Sequence, residues 1–129
     1  MIFSYKVKVR GYELDSYKHL NNAVYFNYLE QARWEIVSET GLYKYLTEND
    51  LMLVVIENHI KYIREAVLFD ELEIQTIIKK ELPYIVFYNL IENTNTKLKI
   101  AKASVKTLLI NNERTPVDIT EIICQKLQI

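Results

Sequence analysis

The segment 15–41, DSYKHLNNAVYFNYLEQARWEIVSETG, decides the fold, because a polar turn runs directly into the longest helical pattern of the chain. Apolar side chains recur with the spacing of one helical face at Tyr25, Leu29, Ala32 and Ile36. Phe26 and Val37 mark a second stripe with Glu30 and Arg33 between them, and little of the circumference is a plausible wet face. A helix of this kind is wrapped by a sheet and can be covered by a second chain. The pattern therefore predicts a central helix.

Residues at both ends of the pattern indicate where this helix starts and stops. Asn21 and Asn22 have side-chain oxygens that can accept hydrogen bonds from the free N–H groups of a first helical turn. Gly41 stands where a left-handed residue would close the last turn. We expect a helix of about eighteen residues and about 27 Å, which is long enough to span a small domain.

The start of this helix is also where chemistry is expected. The first turn of a helix has N–H groups without intrahelical partners and carries a partial positive charge, so it can stabilise an oxyanion. Asp15 lies a few residues earlier and could act as a general base on water or as a nucleophile toward an acyl carbon. Acyl transfer is the reaction class that this arrangement favours. From the residues alone, Asp15 could instead be a cap or a solvated turn residue, His19 a structural histidine and Tyr25 a core aromatic.

The run 9–35, VRGYELDSYKHLNNAVYFNYLEQARWE, resembles the signature of hot-dog-fold acyl-CoA thioesterases of the 4-hydroxybenzoyl-CoA thioesterase-like superfamily, most closely the bacterial long-chain acyl-CoA thioesterase III type. The resemblance rests on the block D-x-x-x-H-x-N-N-x-x-Y followed by E-x-x-R. The stretch 61–72, KYIREAVLFDEL, is similar to a second part of the family pattern, and the similarity weakens after about Lys80. The resemblance implies a curved antiparallel sheet around the helix and hydrolysis of a fatty acyl-CoA to free acid and CoA.

Matched residue by residue, the resemblance also implies roles in the site. Asp15 matches the catalytic carboxylate of the family, and the backbone N–H of Asn22 matches the oxyanion donor. His19 and the side chains of Asn21 and Asn22 match positions that hold the turn together or contact the thioester, and Tyr25 is a further supporting residue of the pattern. No cofactor and no metal are implied.

Two departures separate this chain from other branches of the superfamily. Some plant acyl-carrier-protein thioesterases have an asparagine two positions after the aspartate, where this chain has Tyr17. The related hydratases place four residues between their aspartate and histidine, whereas only three separate Asp15 from His19. These differences count against a copy of either catalytic set.

Composition limits the classes of partner. A formal net charge of -1 over 129 residues offers no electrostatic case for nucleic acid or a membrane surface. No window has the length of a membrane span, and the first residues do not have the pattern of a signal peptide. The single cysteine, Cys124, excludes an internal disulfide framework and a cysteine-cluster zinc site. We therefore expect a cytoplasmic protein.

Five stretches are predicted as strands, at 2–10, 51–64, 71–80, 83–92 and 98–110, with short helices at 42–49 and after Thr120. In the second strand, alternation predicts one face with Val54, Ile56, Asn58, Ile60 and Tyr62, and a reverse face with Glu57 and His59. The polar residues Asn58 and His59 could simply face solvent. Alternatively, the strand lies at a dimer seam and brings them to the neighbouring substrate site.

This element order predicts a single α+β domain over 1–129, in which a curved antiparallel sheet wraps around the long central helix. The hot-dog fold itself is what the resemblance implies, and the periodicity of the sequence agrees with it independently. The small polar surface of the helix predicts at least a homodimer. The family implies a homodimer or homotetramer whose active site lies at the subunit interface.

The expected activity is therefore acyl-CoA hydrolysis, with Arg64 as a candidate for binding CoA phosphates. Arg64 could instead be an ordinary exposed charge at a strand end. An acyl-carrier-protein thioesterase and a non-catalytic acyl-thioester binding protein remain alternative functions. Only the enzymes would need the carboxylate of Asp15.

Overall fold

Five antiparallel strands form one sheet in the computed structural model, which describes all 129 residues. The strands are β1 (Phe3–Lys8), β2 (Leu51–Tyr62), β3 (Glu71–Glu81), β4 (Tyr84–Asn93) and β5 (Lys99–Asn111). Their order across the sheet is β1-β3-β4-β5-β2, so β1 and β2 are the two edges. All five strands predicted from the sequence are present.

The three predicted helices are α1 (Val24–Glu39), α2 (Leu42–Glu48) and α3 (Glu121–Leu127). Helix α1 packs against the sheet through the predicted stripe, whose buried members are Tyr25, Leu29, Ala32 and Ile36, joined by Tyr28. One cluster of buried hydrophobic residues connects the three helices with the inner face of the sheet. The central helix is thus confirmed, and its burial is what holds helix and sheet together. None of the helices is long and apolar enough to cross a membrane.

The predicted faces of β2 are wrong for its first half, because a β-bulge interrupts the alternation. Val55 pairs with Thr107 and Glu57 pairs with Lys106, so Ile56 is an extra residue without a partner on β5. An extra residue moves every following side chain to the opposite face. Val54 therefore does not share a face with Asn58, which pairs with Val105, a buried residue of the inner face.

The predicted asparagine cap of α1 is also wrong. The residue that precedes the helix is Ala23, and no side chain caps the first turn. Asn21 instead accepts a hydrogen bond from the backbone N–H of Ala23 through its Oδ1 atom, over 2.9 Å. The asparagine thus stabilises the turn before the helix and leaves the helix start open.

Gly41 has the predicted left-handed conformation, with φ of +74°, between the end of α1 and the start of α2. We expect Gly41→Ala to lower the free energy of unfolding by about 1 kcal/mol, because a Cβ atom disfavours positive φ. Gly11→Ala is a matched control, since Gly11 does not have positive φ and its Cβ would come no closer than 4.0 Å to Leu68. Denaturant unfolding of both variants measures the difference. Equal stability of the two variants would contradict the prediction.

Candidate active site

The residues between β1 and α1 form a tight hairpin that carries Asp15. One 3₁₀ turn, Gly11–Glu13, precedes the hairpin. The backbone N–H of Asp15 donates to the carbonyl oxygen of His19 over 2.8 Å, and Leu14 pairs with Leu20. Backbone pairing therefore fixes the position from which the Asp15 side chain extends.

The Asp15 carboxylate is half-buried and uses only one oxygen within the hairpin. Its Oδ1 atom accepts hydrogen bonds from the backbone N–H groups of Tyr17, over 2.9 Å, and His19, over 3.1 Å. Its Oδ2 atom makes no hydrogen bond to the protein. The side chain is thus oriented by its own turn, and one oxygen is free to meet water or a substrate.

The start of α1 presents an unused backbone donor. Asn21 accepts from Ala23 through its side chain and from Val24 through its carbonyl oxygen, over 2.9 Å in each case. No protein group accepts a hydrogen bond from the backbone N–H of Asn22, which lies between them on an exposed residue. An unpaired N–H group at the positive end of a helix is a suitable donor for an oxyanion.

One cavity of about 240 Å³ brings most of the predicted site residues together. It is lined by Asp15, His19, Leu20, Asn22, Tyr25, Tyr62, Ile63, Arg64 and Glu65. Asp15 and Asn22 therefore face the same space from the hairpin and from the helix start. Arg64 reaches this space from the end of β2 and forms no ion pair.

Three predicted site residues do not line this cavity. Asn21 lies outside the cavity, and its side chain stabilises the turn before α1. Asn58 and His59 are exposed in the middle of β2, where Asn58 is on the inner side of the edge strand and His59 on the outer side, opposite Ser104. Neither residue lies with Asp15 on this cavity.

Tyr62 lines the Asp15 cavity, although the sequence predicts it only on a strand face and assigns it no role in the site. Its hydroxyl donates to the carbonyl oxygen of Asn22 over 3.0 Å, and its ring meets the Tyr25 ring edge-on at 5.2 Å between centroids. Burial, with a smaller effect of Tyr62, raises the pKa of Tyr25 to about 12, and burial also raises the pKa of Tyr62. Both tyrosines are therefore neutral hydroxyls at physiological pH. No local sequence signal marks Tyr62 as a site residue. Only its contact with Asn22, 40 positions earlier in the chain, identifies it.

A second cavity, of about 360 Å³, lies beside the start of β2 and the middle of α1, and it shares no lining residue with the Asp15 cavity. It is mainly apolar and is lined by residues of α1, α2 and three strands of the sheet, including Trp34, Val37, Leu46, Leu53 and Phe87. Arg33 contributes one of its few polar groups, and its Nη1 atom is buried without a hydrogen-bond partner. Burial lowers the pKa of Arg33. This second cavity has the size and lining of a site for an apolar group.

The geometry supports chemistry at a carbonyl carbon and offers no ready metal site. Asp15 supplies a carboxylate oxygen, and the helix start supplies an N–H donor on the same cavity. No group of three or more histidine, cysteine, aspartate or glutamate side chains is arranged to hold a metal ion. A carboxylate oxygen and an N–H donor on one cavity are an arrangement that can activate water and bind an oxyanion.

Comparisons with known proteins agree with this geometry. The profile of the thioesterase-like superfamily matches residues 9–127. The long-chain acyl-CoA thioesterase FadM of Escherichia coli is 40% identical over 75 residues, which are 58% of this chain. The matched segment spans 57% of that relative's length.

Solved structures extend the comparison to the whole fold. The probable thioesterase YbaW from Escherichia coli has a TM-score of 0.90 and 28% identity, covering 98% of this chain and 96% of its own. The 1,4-dihydroxy-2-naphthoyl-CoA thioesterase Slr0204 from Synechocystis has a TM-score of 0.89, with coverage of 99% and 96%. Its identity is only 15%, so it bears on the fold alone. The predicted α+β hot-dog fold is confirmed. Since the profile match extends over nearly the entire chain, this protein belongs to the thioesterase-like superfamily.

Proposed function

We propose that this chain is a thioester hydrolase that cleaves a fatty acyl-CoA to the free acid and CoA, with Asp15 as its reactive carboxylate. The observation that carries the proposal is the meeting of Asp15 and the unpaired Asn22 N–H on one cavity. The name of the 40% identical relative, a long-chain acyl-CoA thioesterase, supports acyl-CoA as the substrate class.

In this mechanism the thioester carbonyl oxygen accepts a hydrogen bond from the backbone N–H of Asn22. The free Oδ2 atom of Asp15 takes a proton from a water molecule, and the water oxygen bonds to the carbonyl carbon. Negative charge then develops on the carbonyl oxygen, where the helix start stabilises it. When the intermediate collapses, the C–S bond breaks and CoA leaves as a thiolate. The proton held by Asp15 then passes to the thiolate or to solvent, which restores the carboxylate. A thiolate is a good leaving group, so no strong general acid is needed.

The same geometry allows a second route, in which Asp15 attacks the carbonyl carbon directly. The CoA thiolate leaves, and a mixed anhydride between Asp15 and the acyl group remains. Water then hydrolyses the anhydride and restores the carboxylate. Both routes need the carboxylate and the oxyanion donor, and they share the same products.

Two further parts of the surface fit the two ends of the substrate. Arg64 lines the Asp15 cavity and has no acidic partner, so it is available to bind a phosphate of CoA. His19 lies on the same cavity, with its backbone bound in the hairpin. The apolar cavity between α1, α2 and β2 suits the acyl chain.

We also propose that the active unit is a homodimer formed along β2. This strand is a sheet edge of twelve residues, and several of its apolar side chains are exposed, including Met52, Val55 and Ile56. A long, exposed apolar edge is a template for pairing with another strand. A second copy of the same strand covers it by symmetric antiparallel pairing.

The charged side chains of β2 favour a two-fold axis of the dimer near the middle of this strand. An axis at Glu57 would set two like charges opposite each other, whereas an axis at Asn58 or His59 sets Glu57 opposite His59 or Lys61. The Asp15 cavity lies at the end of β2, and the apolar cavity lies at its start. A two-fold axis between them brings the Asp15 cavity of one subunit beside the apolar cavity of its partner. The acyl chain then extends from one subunit into the other.

The domain and the compartment complete the proposal. We take residues 1–129 as a single catalytic domain, in line with the one hydrophobic cluster that joins helices and sheet. The cytoplasm stays the expected compartment, on the single cysteine and the near-neutral charge of the sequence.

The test is thiol release from purified protein supplied with short, medium, long and aromatic acyl-CoA substrates. We expect release with aliphatic acyl chains and assign the preferred length class from kcat/KM. Parallel reactions with acyl-acyl carrier protein separate the two thioester carriers. If no thiol is released from either carrier and acyl-CoA binds tightly, the proposed hydrolase activity is wrong and the chain is an acyl-thioester binding protein.

A further inference from the structure

Glu13 is the only carboxylate among the buried residues, with 6% of its surface exposed, and it lies two positions before Asp15. Its Oε1 atom accepts three hydrogen bonds. The donors are the Tyr28 hydroxyl at 2.6 Å, the Arg10 backbone N–H at 2.8 Å and the Arg10 Nε at 3.2 Å. A buried carboxylate is costly to maintain unless such donors satisfy it.

These bonds join the end of β1, the 3₁₀ turn and helix α1 at one buried carboxylate. Arg10 follows β1, Glu13 ends the 3₁₀ turn, and Tyr28 lies on the second turn of α1. Burial, and then the hydrogen bond to Glu13, raises the pKa of Tyr28, so its hydroxyl remains a donor. The carboxylate therefore ties the base of the hairpin to the side of the central helix.

Glu13 also sets the geometry of the hairpin through its backbone. Its carbonyl oxygen accepts from the N–H of Asn21 over 2.9 Å, which is the first rung of the hairpin that carries Asp15. The next rungs are the Leu14–Leu20 pair and the bond from Asp15 to His19. A shift of Glu13 relative to Tyr28 thus moves Asp15 relative to the helix start.

We propose that the buried hydrogen bond between Glu13 and Tyr28 positions Asp15 over the Asn22 N–H, which makes Glu13 and Tyr28 positioning residues of the site. This inference rests on the proposed thioesterase function. An apolar pair at the same place would also hold helix and hairpin together, but apolar contacts are not directional and would not fix the position of one element relative to the other. A charged hydrogen bond of fixed length holds the two elements in one arrangement.

Tyr28→Phe tests the inference, because it removes one hydroxyl and leaves the ring in the core. We expect kcat to fall by about tenfold to a hundredfold with KM nearly unchanged, since a small displacement of the reacting groups has effects of this size. Tyr45→Phe is the matched control. It removes a hydroxyl that bonds to Thr120 over 3.1 Å, between α2 and the start of α3. We expect its kcat to equal that of the wild type, even where the two variants lose equal stability.

Glu13 supplies the second pair of variants. Glu13→Gln keeps an oxygen that accepts from Tyr28, so we expect it to retain much more of kcat than Glu13→Leu. Amide hydrogen exchange gives a readout that does not depend on activity. The N–H groups of Asp15 and Asn21 should exchange faster in Tyr28→Phe than in Tyr45→Phe.

The outcomes separate the inference from the proposed function. A wild-type enzyme with full thiol release and a Tyr28→Phe variant with unchanged kcat and unchanged exchange would overturn the positioning role alone. Equal losses of kcat in Tyr28→Phe and Tyr45→Phe would also overturn it, since loss of stability would explain both. A wild type without thiol release overturns the proposed function, while the exchange data still decide whether the bond holds the hairpin.

Discussion

Asp15→Asn is expected to reduce thiol release from acyl-CoA by about a hundredfold to ten-thousandfold, the range typical of a lost general base. The asparagine keeps a side-chain oxygen that accepts from the N–H groups of Tyr17 and His19, so the hairpin should persist. What it loses is the charge and basicity of the free oxygen. Both the water-activation route and the anhydride route need that basic, nucleophilic oxygen.

The measurement is steady-state thiol release by wild type and variant, with melting temperatures to show that both are folded. Asp118→Asn is the matched control, because Asp118 is an exposed carboxylate outside both cavities. We expect its kcat/KM to equal that of the wild type. An Asp15→Asn protein that keeps more than about a tenth of the activity would exclude Asp15 as base and nucleophile.

Mixing two inactive variants is expected to restore activity, if each acyl chain extends from one subunit into its partner. The first variant is Asp15→Asn. The second is Thr47→Trp, in which an exposed residue of α2 that lines the apolar cavity is replaced by a side chain large enough to fill it. The Thr47 hydroxyl bonds only to carbonyl oxygens of its own helix, so its loss should leave the fold intact.

The expected recovery follows from symmetry. Random mixing makes half of the dimers mixed, and each mixed dimer has one site with both lesions and one site with none. The mixture should therefore reach about a quarter of wild-type activity. Each variant refolded alone provides the control. If each site belonged to a single subunit, every site in a mixed dimer would have a lesion, and no activity would return. Sedimentation of the same samples checks that dimers are present, and a stable monomer with full activity would refute the shared site.

The sequence alone was sufficient for features that depend on neighbours along the chain. The stripe from Tyr25 to Ile36 repeats with the period of a helix, and it forms the buried face of α1. Gly41 has positive φ, as its place after the helical pattern predicts. The five strands follow from alternation and turn residues. The motif of Asp15, Asn22 and Tyr25 also lies within one short segment, and these residues do meet at one cavity.

Only the tertiary structure decided features that depend on how distant elements pack. The bulge at Ile56 arises where β2 has one residue more than β5 can pair, which alternation within β2 cannot reveal. The contacts of Tyr62 with Asn22 and of Glu13 with Tyr28 join parts of the chain that have no common pattern. Periodicity records which side of an element is buried, because that side repeats along the chain. It does not record which group across the interface a side chain will meet, because that depends on the relative position of two elements, and packing of the whole core sets that position.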